Sequence, residues 1–402
     1  MSSETITLAD RVLQIAPSPT LAVNAKAEAL RAAGANILNF SVGETDFQTP
    51  EHVCQAGKQA IDEGHTRYTA VPGILELRTA ICEKFKAEHG WVYEPEQVQV
   101  CCGGKQGLYT VFQAMLNPGD EVLIPAPYWV SYPPMVQLAG GVPVIVPLVE
   151  SNDFDLDPDA LAGYITSKTR AIILNSPSNP TGAVFSGKAL TAVAEIARQH
   201  NLLVVSDDMY ESLTFLDGKL PHILDLAPEL KEQILILRGV SKSFSMTGWR
   251  IGYAAGAMHL IKAMNKIQSQ STSNPAAPSQ YAALAALTGP KDFTKMVREA
   301  FVPRRRYIVD ALRGMAGVSC VEPAGAFYVF PNFSYYYGKK IANREITGSV
   351  SLADYLLDEA LVATVPGAAF GSDDFIRFSF ATSLENIREG MHRVKKALAE
   401  LQ

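Results

Sequence analysis

The chain has 402 residues, 48% hydrophobic and 19% charged, the balance of an ordinary globular enzyme with room for about two or three structural units. A formal net charge of -6 argues against a general nucleic-acid surface but leaves space for a locally basic pocket. Five cysteines, an odd number with Cys101 and Cys102 adjacent, suit a reducing cytoplasm better than a disulfide framework, and no apolar run approaches the ~20 residues of a membrane helix.

The first ten residues have neither a basic start nor an apolar stretch, so no secretory signal is expected. Residues 22–33 have good helix composition and stop at Gly34. A short strand over 37–42 leads into Gly43-Glu-Thr-Asp-Phe47, and Pro50 opens the next helix at its first turn. The turn-rich loop Arg67-Tyr-Thr-Ala-Val-Pro-Gly73 carries Tyr68 near its start and precedes a helix over 75–89. After a strand at 97–101, Gly103-Gly104-Lys105 opens a helix in which Leu108, Val111, Phe112, Met115 and Leu116 share one face at spacings of three and four.

Six strand-like runs follow, at 122–124, 142–149, 171–174, 202–205, 234–237 and 251–255, with a helix over 188–200 between the third and fourth. Short, continuous apolar runs predict a largely parallel sheet covered on both faces, and Pro143 and Pro147 demote the second run to a sheet edge or an irregular connection. Ligands of such sheets bind at the carboxyl ends of the strands. A basic helix over 293–315 carries Arg298, Arg304, Arg305, Arg306 and Arg313, read as a solvated face, and Pro303 inside it predicts a kink or break. Strands at 318–321, 327–330, 362–365 and 375–380, with helices near 352–359 and 385–401, then make a smaller α+β unit.

The chemistry-bearing residues fall just beyond these strands. Lys242 stands among small hydroxyl residues, with Arg250 eight positions later. A lysine amine condenses with an aldehyde to an imine, and the planar fork of an arginine binds phosphate. An aldehyde bearing a phosphate is pyridoxal 5'-phosphate (PLP), which also needs an acid at its pyridine nitrogen, a phosphate cup, a ring clamp and an anchor for the substrate carboxylate. Asp207 is either that acid or a turn cap, and Tyr210 is within reach of the phenolic oxygen. Gly103-Gly104-Lys105-Gln106 offers backbone N–H groups at the positive end of a helix, or is merely a turn. Trp129 either stacks on the ring or packs in the core. Asn179 is held in a segment stiffened by two prolines, Asn175-Ser-Pro-Ser-Asn-Pro-Thr-Gly182. Arg377, within an apolar strand, requires an anion, which is either a substrate carboxylate or an internal salt-bridge partner. The seven histidines show no metal-ligand spacing, and neither a Walker loop nor a dinucleotide glycine motif is present.

With Ser241-Lys-Ser-Phe-Ser-Met-Thr-Gly-Trp-Arg-Ile-Gly-Tyr253, Asn179-Pro-Thr-Gly182, Asp207 and Tyr210 in this order and spacing, the chain resembles the class I aminotransferases of PLP fold type I. It is most similar to the bacterial aspartate aminotransferase branch that includes aspartate/prephenate aminotransferases. The resemblance implies an α/β large domain at 45–290 with a mostly parallel sheet. It also implies a small α+β domain built from both chain ends, residues 1–44 with an N-terminal arm and residues 291–402 with an interdomain helix. Lys242 becomes the imine lysine and the acid–base group, Asp207 the pyridine partner, Tyr210 and Asn179 partners of the phenolic oxygen, and Trp129 the stacking ring. Arg250 with Gly104 and Lys105 holds phosphate, Tyr68 reaches the phosphate of a neighbouring subunit in a homodimer, and Arg377 binds the α-carboxylate near Gly43 on a closing segment. Lys105 is associated with the distal carboxylate of a dicarboxylic substrate.

The implied reaction moves an amino group between aspartate or glutamate and oxaloacetate or 2-oxoglutarate, with prephenate as a further acceptor. Alternatives on the same scaffold are an aromatic or alanine aminotransferase, or a PLP lyase. A PLP-sensing regulator needs a DNA-binding module, for which the stretch before Gly43 shows no helix-turn-helix pair. One position departs from other branches: Gly239 stands where they place a phosphate-cup serine, leaving Ser241 or Ser243 as substitutes.

Overall fold

Seven strands form the central sheet, in the order Val98–Cys101, Gly252–Ala255, Ile234–Gly239, Leu203–Asp207, Thr169–Asn175, Glu121–Ala126, Val142–Pro147. This computed structural model describes residues 6–17 and 19–402; residues 1–5 and 18, part of the expected N-terminal arm, lie outside them. Gly252–Ala255 runs antiparallel to both its neighbours, and the remaining pairings are parallel. The mostly parallel sheet is therefore as expected, and the proline-bearing strand Val142–Pro147 lies at its edge.

Alternation along the strands feeds two cores. Ile172, Leu174, Val204, Ile234 and Ile236 point towards the helices Leu75–His89, Gly187–His200 and Ala277–Thr288. Ala171, Ile173, Val205, Leu235 and Leu237 pack against Leu108, Val111 and Phe112 of Gly104–Met115 and against Ile261 and Met264 of Met258–Ser269. Both faces are thus covered, which is why these strands read as unbroken apolar runs. Register aligns Asn175 with Asp207, Asp207 with Leu237, and Gly239 with Gly252. The strand ends therefore deliver their polar residues to one rim.

Of the kink or break expected at Pro303, the break does not occur: the long helix Asp292–Arg313 runs through it. Pro303 lies on the exposed side, where water can satisfy the carbonyl released by its ring. The solvated-face reading holds for Arg298, Arg306 and Arg313 but not for the middle of the run. Arg304 lies 5.4 Å over the rings of Phe47 and Phe301 and pairs with Asp46 at 2.7 Å, while Arg305 covers Phe215 at 4.8 Å.

Tyr328–Val329, Ile376–Ser379 and Val365–Pro366 form a small antiparallel sheet, and Leu38–Asn39 pairs parallel with Val362–Ala363. The strand expected at 318–321 reduces to an isolated bridge between Ser319 and Asn332, and the one at 362–365 is divided between two sheets at Thr364. Leu38 and Phe40 share a core with Val297, Phe301, Leu352, Ile376 and Leu398, so the two chain ends pack together. Among the described residues no helix is long and apolar enough to cross a membrane.

Candidate active site

A cavity of about 450 Å³ opens at the carboxyl ends of the central strands, lined by Gly43, Gly104, Lys105, Trp129, Asn179, Asp207, Tyr210, Lys242, Arg250 and Arg377. Of the residues given a role from sequence, Tyr68 is the one outside this lining, and it is 91% exposed.

Lys242 lies past the end of Ile234–Gly239, and its Nζ donates to the carbonyl of Gly43. Its pKa falls to about 8, chiefly because burial disfavours the ammonium. The Arg250 and Arg377 charges push the same way, against the opposing pull of Glu44. A lysine poised near neutrality can act as nucleophile and base.

Asp207 ends the strand Leu203–Asp207 and is 6% exposed. Its Oδ2 accepts from Tyr132 Oη at 2.6 Å and its Oδ1 from the Met209 N–H at 3.3 Å, so the carboxylate also caps the turn that follows. Burial raises its pKa to about 6. The Asn175 amide holds its main-chain carbonyl at 2.9 Å. Tyr210 Oη shares a 2.9 Å hydrogen bond with Tyr328 Oη, and burial keeps its phenol protonated well above the usual range.

Arg377 is 3% exposed and donates from Nη1 to Asn179 Oδ1 at 3.0 Å and from Nη2 to the Ser41 carbonyl at 2.6 Å. Its guanidinium lies 4.5 Å over the Tyr328 ring and 5.0 Å over Phe370, and its buried Nε has no hydrogen-bond partner. Among the described residues it makes no ion pair, so the internal salt bridge is not formed and the charge faces the cavity without a counter-ion.

Opposite, the first-turn N–H groups of Gly104 and Lys105 have no partner inside their helix. Two glycines shape this corner, Gly103 leaving room for Arg250 and Gly252 for the start of the helix. A Cβ on Gly103, which has φ 83°, would meet Arg250 Nη2 at 2.4 Å, and one on Gly252 would meet the Gly104 nitrogen at 2.4 Å. Lys105 Nζ lies 4.9 Å from the Trp129 ring centre, and its pKa is lowered by desolvation and then by Arg250. Ser241 is buried and lines this cavity, whereas Gly239 and Ser243 line a separate cavity behind the loop.

Sequence reasoning missed Ser41, Asn175, Tyr132 and Tyr328. Ser41 acts through its main-chain carbonyl, which leaves no mark in the side-chain pattern. Asn175 opened a motif that was singled out, and Tyr132 lies three residues after Trp129, so both were within reach of the same reading.

A buried lysine of lowered pKa, a carboxylate, an uncompensated arginine and a helix N-terminus around one cavity define an enzyme of amino-group chemistry on an anionic substrate. The chain belongs to the aminotransferases: a family model described as aminotransferase class I and II matches residues 35–394. It is 50% identical over 396 residues to the aspartate/prephenate aminotransferase of Cereibacter sphaeroides, covering 98% of this chain and 99% of the relative. It is 47% identical over 392 residues to the aspartate aminotransferase of Geobacillus stearothermophilus, covering 97% and 98%. The crystal structure of the aspartate aminotransferase from Rhizobium meliloti superposes with a TM-score of 0.95 at 42% identity, covering 99% of this chain and 100% of that one.

Proposed function

We propose that this chain is a PLP-dependent aspartate aminotransferase that exchanges an amino group between aspartate or glutamate and oxaloacetate or 2-oxoglutarate. The observation that carries this reading is the pairing, in one cavity, of Lys242 near neutrality with Arg377, a buried cation whose anion must come from outside.

The lining fits PLP. The cradle at Gly103 and Gly104, which a Cβ at Gly252 would fill, suits a phosphate beside Arg250, and the Asp207 carboxylate suits a protonated pyridine nitrogen. Tyr210 and the Asn179 amide would reach the phenolic oxygen, with Asn179 Oδ1 already taken by Arg377, and Trp129 would face the ring. When bound, PLP supplies an electron-withdrawing ring that stabilises negative charge at the substrate Cα.

The residues do the rest. The Arg377 fork binds the α-carboxylate through two parallel charge-assisted hydrogen bonds and so fixes which Cα bond faces Lys242. Neutral Lys242 Nζ, released from the Gly43 carbonyl, takes the proton from Cα. Lys105 at the cavity edge selects a second carboxylate, which makes prephenate, also a dicarboxylate, a further acceptor to test. Exposed Tyr68 fits the reading that it reaches the phosphate of a second copy in a homodimer. The shared core of the two chain ends supports a small domain from 1–44 and 291–402 beside a large one at 45–290. Five free cysteines accord with a cytoplasmic enzyme.

The test is product analysis with PLP-loaded protein, aspartate and 2-oxoglutarate. Equal amounts of oxaloacetate and glutamate support the proposal. Turnover confined to alanine or an aromatic donor would reject the dicarboxylate assignment of Lys105, and ammonia release without glutamate would indicate a lyase. Replacing 2-oxoglutarate by prephenate decides that acceptor.

A further inference from the structure

Two parts of the site rest on a side chain to which the chemistry above gives no role. Tyr132 opens the short helix Tyr132–Leu138, is 1% exposed and lines the cavity. Its hydroxyl donates to Asp207 Oδ2 at 2.6 Å, and its ring packs edge-on against Trp129, with centroids 5.4 Å apart and planes at 82°. The other contact to the Asp207 carboxylate, from the Met209 N–H, is longer at 3.3 Å. Among the described residues, Tyr132 is the side chain that donates to it.

The charges nearby make this bond matter. Asp208, next in the chain and 2% exposed, is itself served by Arg238 Nε at 3.1 Å, His222 Nε2 at 2.9 Å and Ser206 Oγ at 2.6 Å. His222 Nδ1 accepts from the Leu224 N–H, so the proton sits on Nε2, facing Asp208. Those three donors go to Asp208, whose negative charge opposes ionisation of Asp207. Burial opposes it more strongly, while the Tyr132 hydrogen bond and the Lys242 charge favour it. The Tyr132 phenol is pushed well above its ordinary value by burial and then by Asp207, so it remains a donor.

We propose that Tyr132 is a positioning residue: its hydroxyl holds the Asp207 carboxylate beneath the pyridine nitrogen of PLP while its ring braces Trp129 beside the same ring. The inference rests on the PLP reading above and extends it to a residue that acts through another. A charge-assisted hydrogen bond in a buried site strengthens the Asp207–nitrogen contact without touching the cofactor.

Tyr132→Phe keeps the ring and its packing on Trp129 and removes only the hydroxyl. The decisive comparison is the affinity of the full-length apoprotein for PLP and for its 1-deaza analogue, which carries carbon in place of the ring nitrogen. The variant is expected to bind PLP about ten- to a hundredfold more weakly than wild type and the analogue within about twofold of wild type. In an Asp207→Asn background the same substitution should change PLP affinity by less than about threefold, since the bond then has no charge to hold. Equal weakening for PLP and the analogue would show a packing role only and overturn the inference. Unchanged PLP binding by Tyr132→Phe would overturn it alone, whereas a wild type that binds no PLP would overturn the cofactor reading together with it.

Discussion

Arg377 holds a charge that its own fold does not balance, and replacing it separates a substrate clamp from a structural cation. Its Nη atoms spend hydrogen bonds on two neutral oxygens, Asn179 Oδ1 at 3.0 Å and the Ser41 carbonyl at 2.6 Å, and burial lowers its pKa. Burying an ion without a counter-ion costs several kcal/mol, and a bound carboxylate would offset this cost. Arg377→Lys keeps the charge but loses the planar fork. At about 1.5–3 kcal/mol for a charge-assisted hydrogen bond, kcat/KM for aspartate should fall about ten- to a hundredfold. Arg377→Leu keeps apolar contact with Tyr328 and Phe370 but leaves the carboxylate unpaired, for a loss of about 3–5 kcal/mol, roughly 10²- to 10³-fold or more. The leucine should cost the folded state about 1–3 kcal/mol, from the Asn179 and Ser41 oxygens left without their donor, and less than the roughly 3–5 kcal/mol of a broken buried ion pair. Single-turnover kinetics with aspartate and thermal unfolding of the apoprotein give both numbers. Near wild-type kcat/KM with a large loss of stability would refute the clamp and restore the structural reading.

Further consequences follow from the same geometry. Lys242→Ala should reduce turnover at least about 10⁴-fold while PLP still binds through phosphate and pyridine contacts; wild-type-like turnover would sink the lysine's assignment. Because the folded-state pKa of Lys242, about 8, lies below its ordinary 10.5, the unfolded chain takes up that proton first. Wild-type apoprotein should therefore lose up to about 3 kcal/mol relative to Lys242→Ala as pH falls from 10.5 to 8, and no more below that, which denaturant titrations at several pH values can measure. Gly252→Ala would drive a Cβ to 2.4 Å from the Gly104 nitrogen, so it should cost about 1–3 kcal/mol and weaken PLP binding. Unchanged affinity in a PLP titration would show that the cradle is not the phosphate site. Asp207, raised to about 6, loses its charge below that pH, so PLP affinity should decline from pH 7 to pH 5, and Asp207→Asn should flatten the decline.

Much of this site was legible because its chemistry needs particular side chains just past apolar strands, and both features are local. The helix Leu75–His89 matches its predicted span, and Pro143 and Pro147 placed their strand at the sheet edge. What escaped was non-local. Ala277–Thr288 is rich in alanine with little amphipathic contrast, so its covering of the sheet carries no helical stripe. The run at 318–321 has strand-like composition but finds only one bridging partner, which no local pattern encodes. Arg304 and Arg305 read as solvated charges until Phe47 and Phe215, distant in sequence, came to lie beneath them. Of the two serines that follow Gly239, Ser241 lines the active-site cavity and Ser243 the one behind it, a difference the sequence pattern does not encode.

The central claim is that Lys242 and Arg377 in one cavity carry transamination of a dicarboxylic amino acid. The most direct test mixes the PLP-loaded protein with aspartate alone and follows the cofactor absorbance. The account predicts complete conversion to the amine form with one oxaloacetate released per site, reversal on adding 2-oxoglutarate, and neither event in Lys242→Ala. No conversion by the wild type, or equal conversion by Lys242→Ala, would contradict it.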